Sequence, residues 1–327
     1  MMIKSMIARC FTGNFVCIKR RREMSKNFGE LLKKVNEFPI KKLSVAAAND
    51  DEVIEAAAIA HERKIADSIL VGDKDQIESI CKDLKVDPSI FEIVDIKDPI
   101  EAAHEAVRIV HDGEADMYMK GLLSTKDFLK SILDKEVGLR TERLLSHVCV
   151  FEIKGIPQLL FLTDVAFLPY PTLEQKVGII ENTVEVCNAC GIDMPKVAPV
   201  AAVEVVNEKM PATVEAAELT KMNDEGKIKN CIIDGPLSVD LAIYPEAAKH
   251  KKAEDRKIVG DADVILFPDI HAGNIAYKFI VHTTEFKNAC ILTGTKAPAI
   301  LTSRSDSAET KVNSIALAAV VAAYQNK

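Results

Sequence analysis

Five short segments of this 327-residue chain gather small, hydroxyl, acidic and basic side chains. They are Lys120-Gly121-Leu122-Leu123-Ser124-Thr125-Lys126-Asp127, the single Asp164, Asp234-Gly235-Pro236, Pro268-Asp269-Ile270-His271-Ala272-Gly273-Asn274, and Ser303-Arg304-Ser305-Asp306-Ser307-Ala308-Glu309-Thr310-Lys311. Hydroxyls and backbone N–H groups at helix starts donate to anions, and an arginine beside them holds phosphate through its planar fork of donors. In outline these segments describe a site for an anionic ligand. Each also has a plainer use. Ser124 with Asp127, and Asp306 with Glu309, have the spacing of helix capping boxes. Asp269 and Asn274 around Gly273 suit a turn. Capping does not account for Ser303 and Arg304. His271 is a lone histidine without partners for a metal, His147 reads as structural, and no metal ligands are expected. A Ser-centred nucleophile elbow and an H-E-x-x-H pair are both absent, so hydrolase chemistry is not indicated.

The fourteen glycines are informative by their spacing. None forms G-x-G and none forms G-x-x-x-x-G-K, so neither the dinucleotide fingerprint nor the Walker loop is present. A net charge of −7 argues against nucleic acid as partner. No run of about 18 apolar residues exists to span a membrane. The 48% hydrophobic and 28% charged composition is that of a globular chain, and its length suits two domains.

The elements that must position the candidate residues follow from hydrophobic period. Strands are expected at 43–48, 68–72, 91–94, 117–120, 145–153, 159–163, 197–202, 231–234, 264–267, 289–292 and 299–302. Helical patterns lie at 52–63, 77–84, 100–111, 124–133, 173–190, 212–225, 272–283 and 306–324. Strand alternating with helix means an α/β fold with mostly parallel sheets, the ligand lying beyond the carboxyl ends of the strands. Two consecutive strands at 145–163, with no helix between them, predict an antiparallel insertion where a second domain begins. No flexible linker separates the halves, which predicts two rigid lobes with a cleft between them.

The first 23 residues differ in kind, with Lys4, Arg9, Lys19, Arg20, Arg21 and Arg22 against Glu23. They read as an extension, disordered or upstream of a natural start at Met24, with a polar helix starting at Ser25; a mitochondrial-type leader is the alternative. Eight scattered cysteines, Cys187 and Cys190 being the one close pair, read as thiols of a reducing compartment and the chain as cytoplasmic.

Taken in order, these segments resemble the phosphate acetyltransferase and phosphate butyryltransferase family, the butyryl branch more closely. The resemblance spans about residues 25–327 and is carried also by Ser146-His147-Val148 and by the run from Val203 to Thr213. It implies two α/β domains like those of the isocitrate and isopropylmalate dehydrogenases: domain I from 24–147 plus 295–327, domain II from 148–294. It implies a homodimer, acyl-CoA and inorganic phosphate as substrates, coenzyme A as substrate and not cofactor, and no metal or organic cofactor. By the same resemblance Ser303, Arg304, Asp306 and Glu309 are catalytic candidates: Ser303 donates to the oxyanion or thioester carbonyl and Arg304 holds phosphate. Lys120, Gly121, Ser124, Thr125, Lys130, Asp164, Asp269, His271, Gly273, Asn274 and Thr310 are candidates for substrate binding, with the Ser124–Thr125 helix start and Lys130 taking phosphate or the coenzyme's anionic end.

The chain also departs from the family pattern. The acetyl branch carries its base, an aspartate, seven residues after the serine; here that position is Thr310, so Asp306 and Glu309 both remain open as the base. His271 stands where Glu or Asn is usual. Phe167 and Leu168 replace small residues and read equally as acyl pocket or core. Two other readings compete: an acyl-CoA-binding protein without catalysis, motivated by Thr310 and His271, and a metal-dependent decarboxylating dehydrogenase that would gather Asp234, Asp240 and Asp269 around a divalent ion.

Overall fold

A computed structural model of the chain describes residues 26–302 and 306–326, so the basic leader and residues Ser303, Arg304 and Ser305 lie outside the described residues. Apolar runs bounded by caps form β1 (Lys41–Ala46), β2 (Ala66–Gly72), β3 (Glu92–Asp95) and β4 (Met117–Lys120), all parallel. They alternate with α2 (Asp51–Glu62), α3 (Lys74–Leu84) and α4 (Pro99–His111); α1 (Phe28–Val35) precedes them and α5 (Thr125–Ile132) follows. The helix starts are written in short polar side chains. Asp50 accepts from Val53 N–H, and Asp98 accepts from Ile100 and Glu101 N–H with Pro99 in the first turn. The first helix is capped by Asn27, two residues beyond the expected start at Ser25.

A second parallel set consists of β6 (Leu160–Thr163), β7 (Lys196–Pro199), β8 (Ile232–Ile233) and β9 (Val264–Leu266). It carries α6 (Leu173–Ala189), α7 (Pro211–Asp224), the short α8 (Val239–Ile243) and α9 (Pro245–His250), and α10 (Ile270–Thr283). Between the sets lie β5 (Ser146–Ile153), β10 (Phe286–Thr293) and β11 (Ala299–Ile300), and α11 (Ala308–Gln325) closes the fold. The expected antiparallel insertion is present as β5 against β6, and β10 is antiparallel to both β5 and β11. The strands join into one eleven-stranded sheet in the order β3-β2-β1-β4-β11-β10-β5-β6-β9-β7-β8. All eleven expected strands are present. β10 is longer than its apolar core suggests, because the polar Lys287 and Asn288 are part of it.

Central strands such as β4 and β6 are buried along their whole length, which explains their unbroken apolar runs. α11 is buried on nearly every face and packs on β10, α2, α1 and α6. Its alanines allow that close approach on several sides at once. Among the described residues, no helix is long and apolar enough to cross a membrane.

Candidate active site

The strand register brings two distant segments together. β11 pairs in parallel with β4, Ala299 opposite Tyr118 and Ile300 opposite Met119. Lys120-Gly121 and Leu301-Thr302 therefore leave the sheet side by side. Gly121 is required where it stands: a Cβ there would lie 2.3 Å from the Ala47 carbonyl oxygen, because the turn crosses the end of β1 and donates from Gly121 and Leu122 N–H to Ala46 and Ala47. Lys120 is buried, and its ammonium donates to the carbonyls of Gly121 and Leu123 at 3.2 Å each, holding the turn. Ser124 caps α5, accepting from Asp127 N–H at 3.1 Å, and its hydroxyl donates to the Asp127 carboxylate at 2.6 Å. Thr125 begins the helix. Lys130 lies further along it, exposed, in an open cavity of about 630 Å³ with Lys126, Lys135, Leu129, Leu133 and Asp134. Three ammonium groups in one shallow cavity suit an anionic end group.

Past β11, the cap of α11 is Ser307, which accepts from Thr310 N–H at 3.3 Å; this corrects the expected Asp306–Glu309 capping box by one residue. The two acids then part. Glu309 turns outward into an exposed pair with Arg63, 3.3 Å from each terminal guanidinium nitrogen. Asp306 is half-buried, its carbonyl accepts from the buried Lys311 ammonium at 2.5 Å, and its charge acts on His147, Cys149 and Tyr277. Thr310 donates to the Asn288 side-chain oxygen at 3.0 Å, and Asn288 in turn bonds Tyr277. Burial pushes the Tyr277 hydroxyl up from its ordinary range, so it stays protonated. Tyr277 and Asn288 lay outside the sequence reading, since neither belongs to a run of hydroxyl and charged residues. Asp50 did too: it caps α2 at the end of β1, and burial raises its carboxyl, although the Lys311 ammonium opposes that shift.

A second group of candidates ties the loop after β6 to α10. Asp164 accepts from the N–H groups of Ala166, Phe167 and His147 at 2.8–3.0 Å. Asp269 caps α10 through His271 and Ala272 N–H. Gly273 lets the helix approach the Asp164 carbonyl, where a Cβ would stand at 2.6 Å, and Asn274 donates to the Val165 carbonyl at 3.0 Å. His271 is exposed and hydrogen-bonded to the Tyr170 hydroxyl at 2.7 Å. The side chains of Asp164, Asp269 and Asn274 thus serve the backbone. Phe167 and Leu168, half-buried, pack against different core clusters.

The aspartates of the dehydrogenase reading are not gathered. Asp234 is bound by Arg256 and by Lys257 and Ile258 N–H, Asp240 pairs with Lys251, and Asp269 is the α10 cap. Among the described residues, one group of three side chains has metal-ligand spacing: His147, Cys149 and Cys290, all buried. Burial lowers the affinity of His147 for a proton, against the nearby Asp164 charge, and holds the Cys149 thiol well above its ordinary range.

Comparison with known proteins decides the family. A model described as phosphate acetyl/butaryl transferase matches residues 100–319. The chain belongs to the phosphate acetyl/butyryltransferase family. A phosphate butyryltransferase of Clostridium beijerinckii is 56% identical over 300 residues, covering 92% of this chain and 99% of that one. A branched-chain phosphotransacylase from Enterococcus faecalis V583 superimposes with a TM-score of 0.77 at 32% identity, over 86% of this chain and 99% of the other. A 4-hydroxythreonine-4-phosphate dehydrogenase from Burkholderia phymatum, at 12% identity and a TM-score of 0.50 over 86% of this chain and 98% of its own, shares the fold alone. The dehydrogenase-like architecture implied by the sequence is therefore the fold of this family member.

Proposed function

We propose that this chain moves a short acyl group between coenzyme A and inorganic phosphate: acyl-CoA plus phosphate gives acyl phosphate plus free coenzyme A, reversibly, with butyryl ahead of acetyl and branched acyl groups. The observation that carries the reading is the β4–β11 register, which brings Lys120 and Gly121 beside Leu301 and Thr302, the residues that precede Ser303 and Arg304 in sequence. The two runs are far apart in sequence, and in this reading an anion is held between the α5 start on one side and Ser303 and Arg304 on the other.

In the direction of thioester formation, the coenzyme thiol gives up its proton and its sulfur attacks the acyl phosphate carbonyl. The carbon–oxygen bond to phosphate then breaks. That step asks for a proton acceptor, a donor to the oxyanion and a cation for the leaving phosphate. In this reading Ser303 is the oxyanion donor, Arg304 holds phosphate, and the Ser124–Thr125 helix start with Lys130 takes the coenzyme's anionic end. Asp306 is the base in preference to Glu309, whose carboxylate is engaged with Arg63. Coenzyme A is a substrate here, the step as balanced needs no metal or organic cofactor, and the enzyme works in the cytoplasm without membrane or nucleic-acid partners. It is a homodimer joined through α10, where Ile275 and Phe279, one turn apart, are 69% and 67% exposed.

The test is thiol release from acyl-CoA with and without phosphate, across acetyl-, propionyl-, butyryl- and branched acyl-CoA. Phosphate-dependent release, fastest with butyryl-CoA, is expected. If no acyl-CoA of two to six carbons gives it, the reading fails, and tight coenzyme A binding without turnover would make the chain a binding protein.

A further inference from the structure

Cys149 on β5 and Cys290 on β10 stand directly opposite each other in the antiparallel ladder. The Cys290 N–H donates to the Ser314 hydroxyl of α11 at 3.0 Å, so it points away from β5. The pair is therefore of the non-hydrogen-bonded type, in which Cα atoms approach to about 4.5 Å and side chains converge on one face. That separation falls within the range a disulfide spans. The two sulfurs lie 2.6 Å apart, inside van der Waals contact. His147, two residues before Cys149 and on the same face of β5, places Nδ1 3.7 Å from the Cys149 sulfur. The other described cysteines, Cys81, Cys187, Cys190 and Cys231, are buried free thiols.

We propose that Cys149 and Cys290 form a built-in oxidation site, a dithiol that closes to a cross-strand disulfide when a small peroxide reaches it. The oxidant must be small because the two cysteines are 0% and 3% exposed. The chemistry balances with hydrogen peroxide as the two-electron acceptor. The Cys149 sulfur attacks a peroxide oxygen, breaking the O–O bond, and its proton passes to the departing oxygen. This leaves a sulfenic acid and releases one water. The Cys290 sulfur then attacks the Cys149 sulfur, forming the S–S bond and expelling a second water that carries away the Cys290 proton. The reaction converts two thiols and one peroxide into one disulfide and two waters.

Closing this bond changes the floor of the candidate site. Asn288, which receives the Thr310 hydroxyl, is two residues from Cys290, and Asp164 holds the backbone of His147, two residues from Cys149. A covalent link between β5 and β10 fixes these two anchors relative to each other.

The experiment uses the full chain, reduced, desalted and exposed to hydrogen peroxide. Free thiols are then alkylated in denaturant and the products mapped by mass spectrometry. The expected result is one linked peptide pair containing residues 149 and 290, with two thiols lost, both regained after dithiothreitol, and Cys187 and Cys190 still free. Glutathione disulfide, too large to enter, should produce the link far more slowly. Cys149→Ala and, separately, Cys290→Ala should each abolish the link while circular dichroism shows the fold retained; loss of the link in only one of them overturns the pairing. Two outcomes overturn the proposal outright: stepwise oxidation of either sulfur to sulfinic acid without a crosslink, or a protein that carries one zinc ion per chain, released by either substitution, and resists peroxide while the ion is bound. The latter would assign the same three side chains to a metal.

Discussion

The hydroxyl of Thr310 donates to the side-chain oxygen of Asn288 at 3.0 Å, joining the first turn of α11 to β10. This position carries an acid in the acetyl branch that the chain resembles, and here it carries a group that cannot serve as a base at neutral pH. Its work is positional: it ties the first turn of α11 to β10. Thr310→Val leaves a buried carboxamide oxygen without its donor, which costs about 1–3 kcal/mol of stability by urea denaturation. The shape of the pH–rate profile should not change, because no proton acceptor is removed.

Asp306→Asn and Glu309→Gln separate the two candidate bases. Loss of a general base lowers kcat by about 10²–10⁴-fold. That loss, together with disappearance of the acid limb of the pH–rate profile, is expected for Asp306→Asn. Glu309→Gln removes only an exposed pair with Arg63, worth about 1 kcal/mol or less, and should leave turnover within about twofold of the parent. The reverse ranking would move the base to Glu309.

Arg304→Ala should act on phosphate more than on the acyl-CoA. A charge-assisted, forked contact to phosphate is worth about 2–4 kcal/mol, so kcat/KM for phosphate should drop by at least tenfold. Steady-state kinetics at varied phosphate measure it, and an unchanged phosphate dependence would remove Arg304 from the site.

Asp263 offers a pH test away from the chemistry. Burial pushes its carboxyl up to about 6, against the opposing hydrogen bond from Lys196 N–H. A carboxyl whose folded pKa is raised stabilises the fold most where it is protonated, and that contribution is lost as pH rises from about 3.8 to about 6. Asp263→Asn keeps the acceptor for Lys196 without the charge. At pH 7 it should be more stable than the parent by on the order of 1–3 kcal/mol, and near pH 4 the two should converge. Thermal unfolding across that range reads the difference.

Phe279→Asp places a charge in the apolar face of α10. With the proposed dimer joined through α10, the expected outcome is a monomer by light scattering for this variant against a dimer for the parent, with far-ultraviolet circular dichroism unchanged. A variant that remains dimeric would locate the interface elsewhere.

Fold and site were legible in the sequence to different degrees. Strands such as β4 and β6 are buried on both faces, so their apolar runs announce them, and helix starts at Ser124 and Asp269 are marked by capping side chains. The antiparallel course of β10 was hidden, because Lys287 and Asn288 interrupt its pattern and register is a tertiary property. At the site, a capping residue and a ligand-binding residue look alike in a sequence. Only the hydrogen bonds show that Asp164 spends its carboxylate on three N–H groups, or that Glu309 faces Arg63 and not the strand ends. Tyr277, Asn288 and the cysteine pair were not legible, since each depends on a neighbour many positions away, as Cys149 does on Cys290.

The place of β11 between β4 and β10 governs the order in which the molecule can be completed. On the ribosome β4 emerges early and then waits, with one edge unpaired, while almost two hundred further residues are made. Only the two-residue strand Ala299–Ile300 covers that edge and couples the early parallel set to the late one. Contacts of such long sequence separation form slowly. Until they form, the exposed edge of β4 is an invitation to pair with another chain. The β4–β11 pairing on which the proposed chemistry rests is thus also a late seam to close during synthesis, and a nascent chain stalled before it would hold two partial sheets in search of their joint.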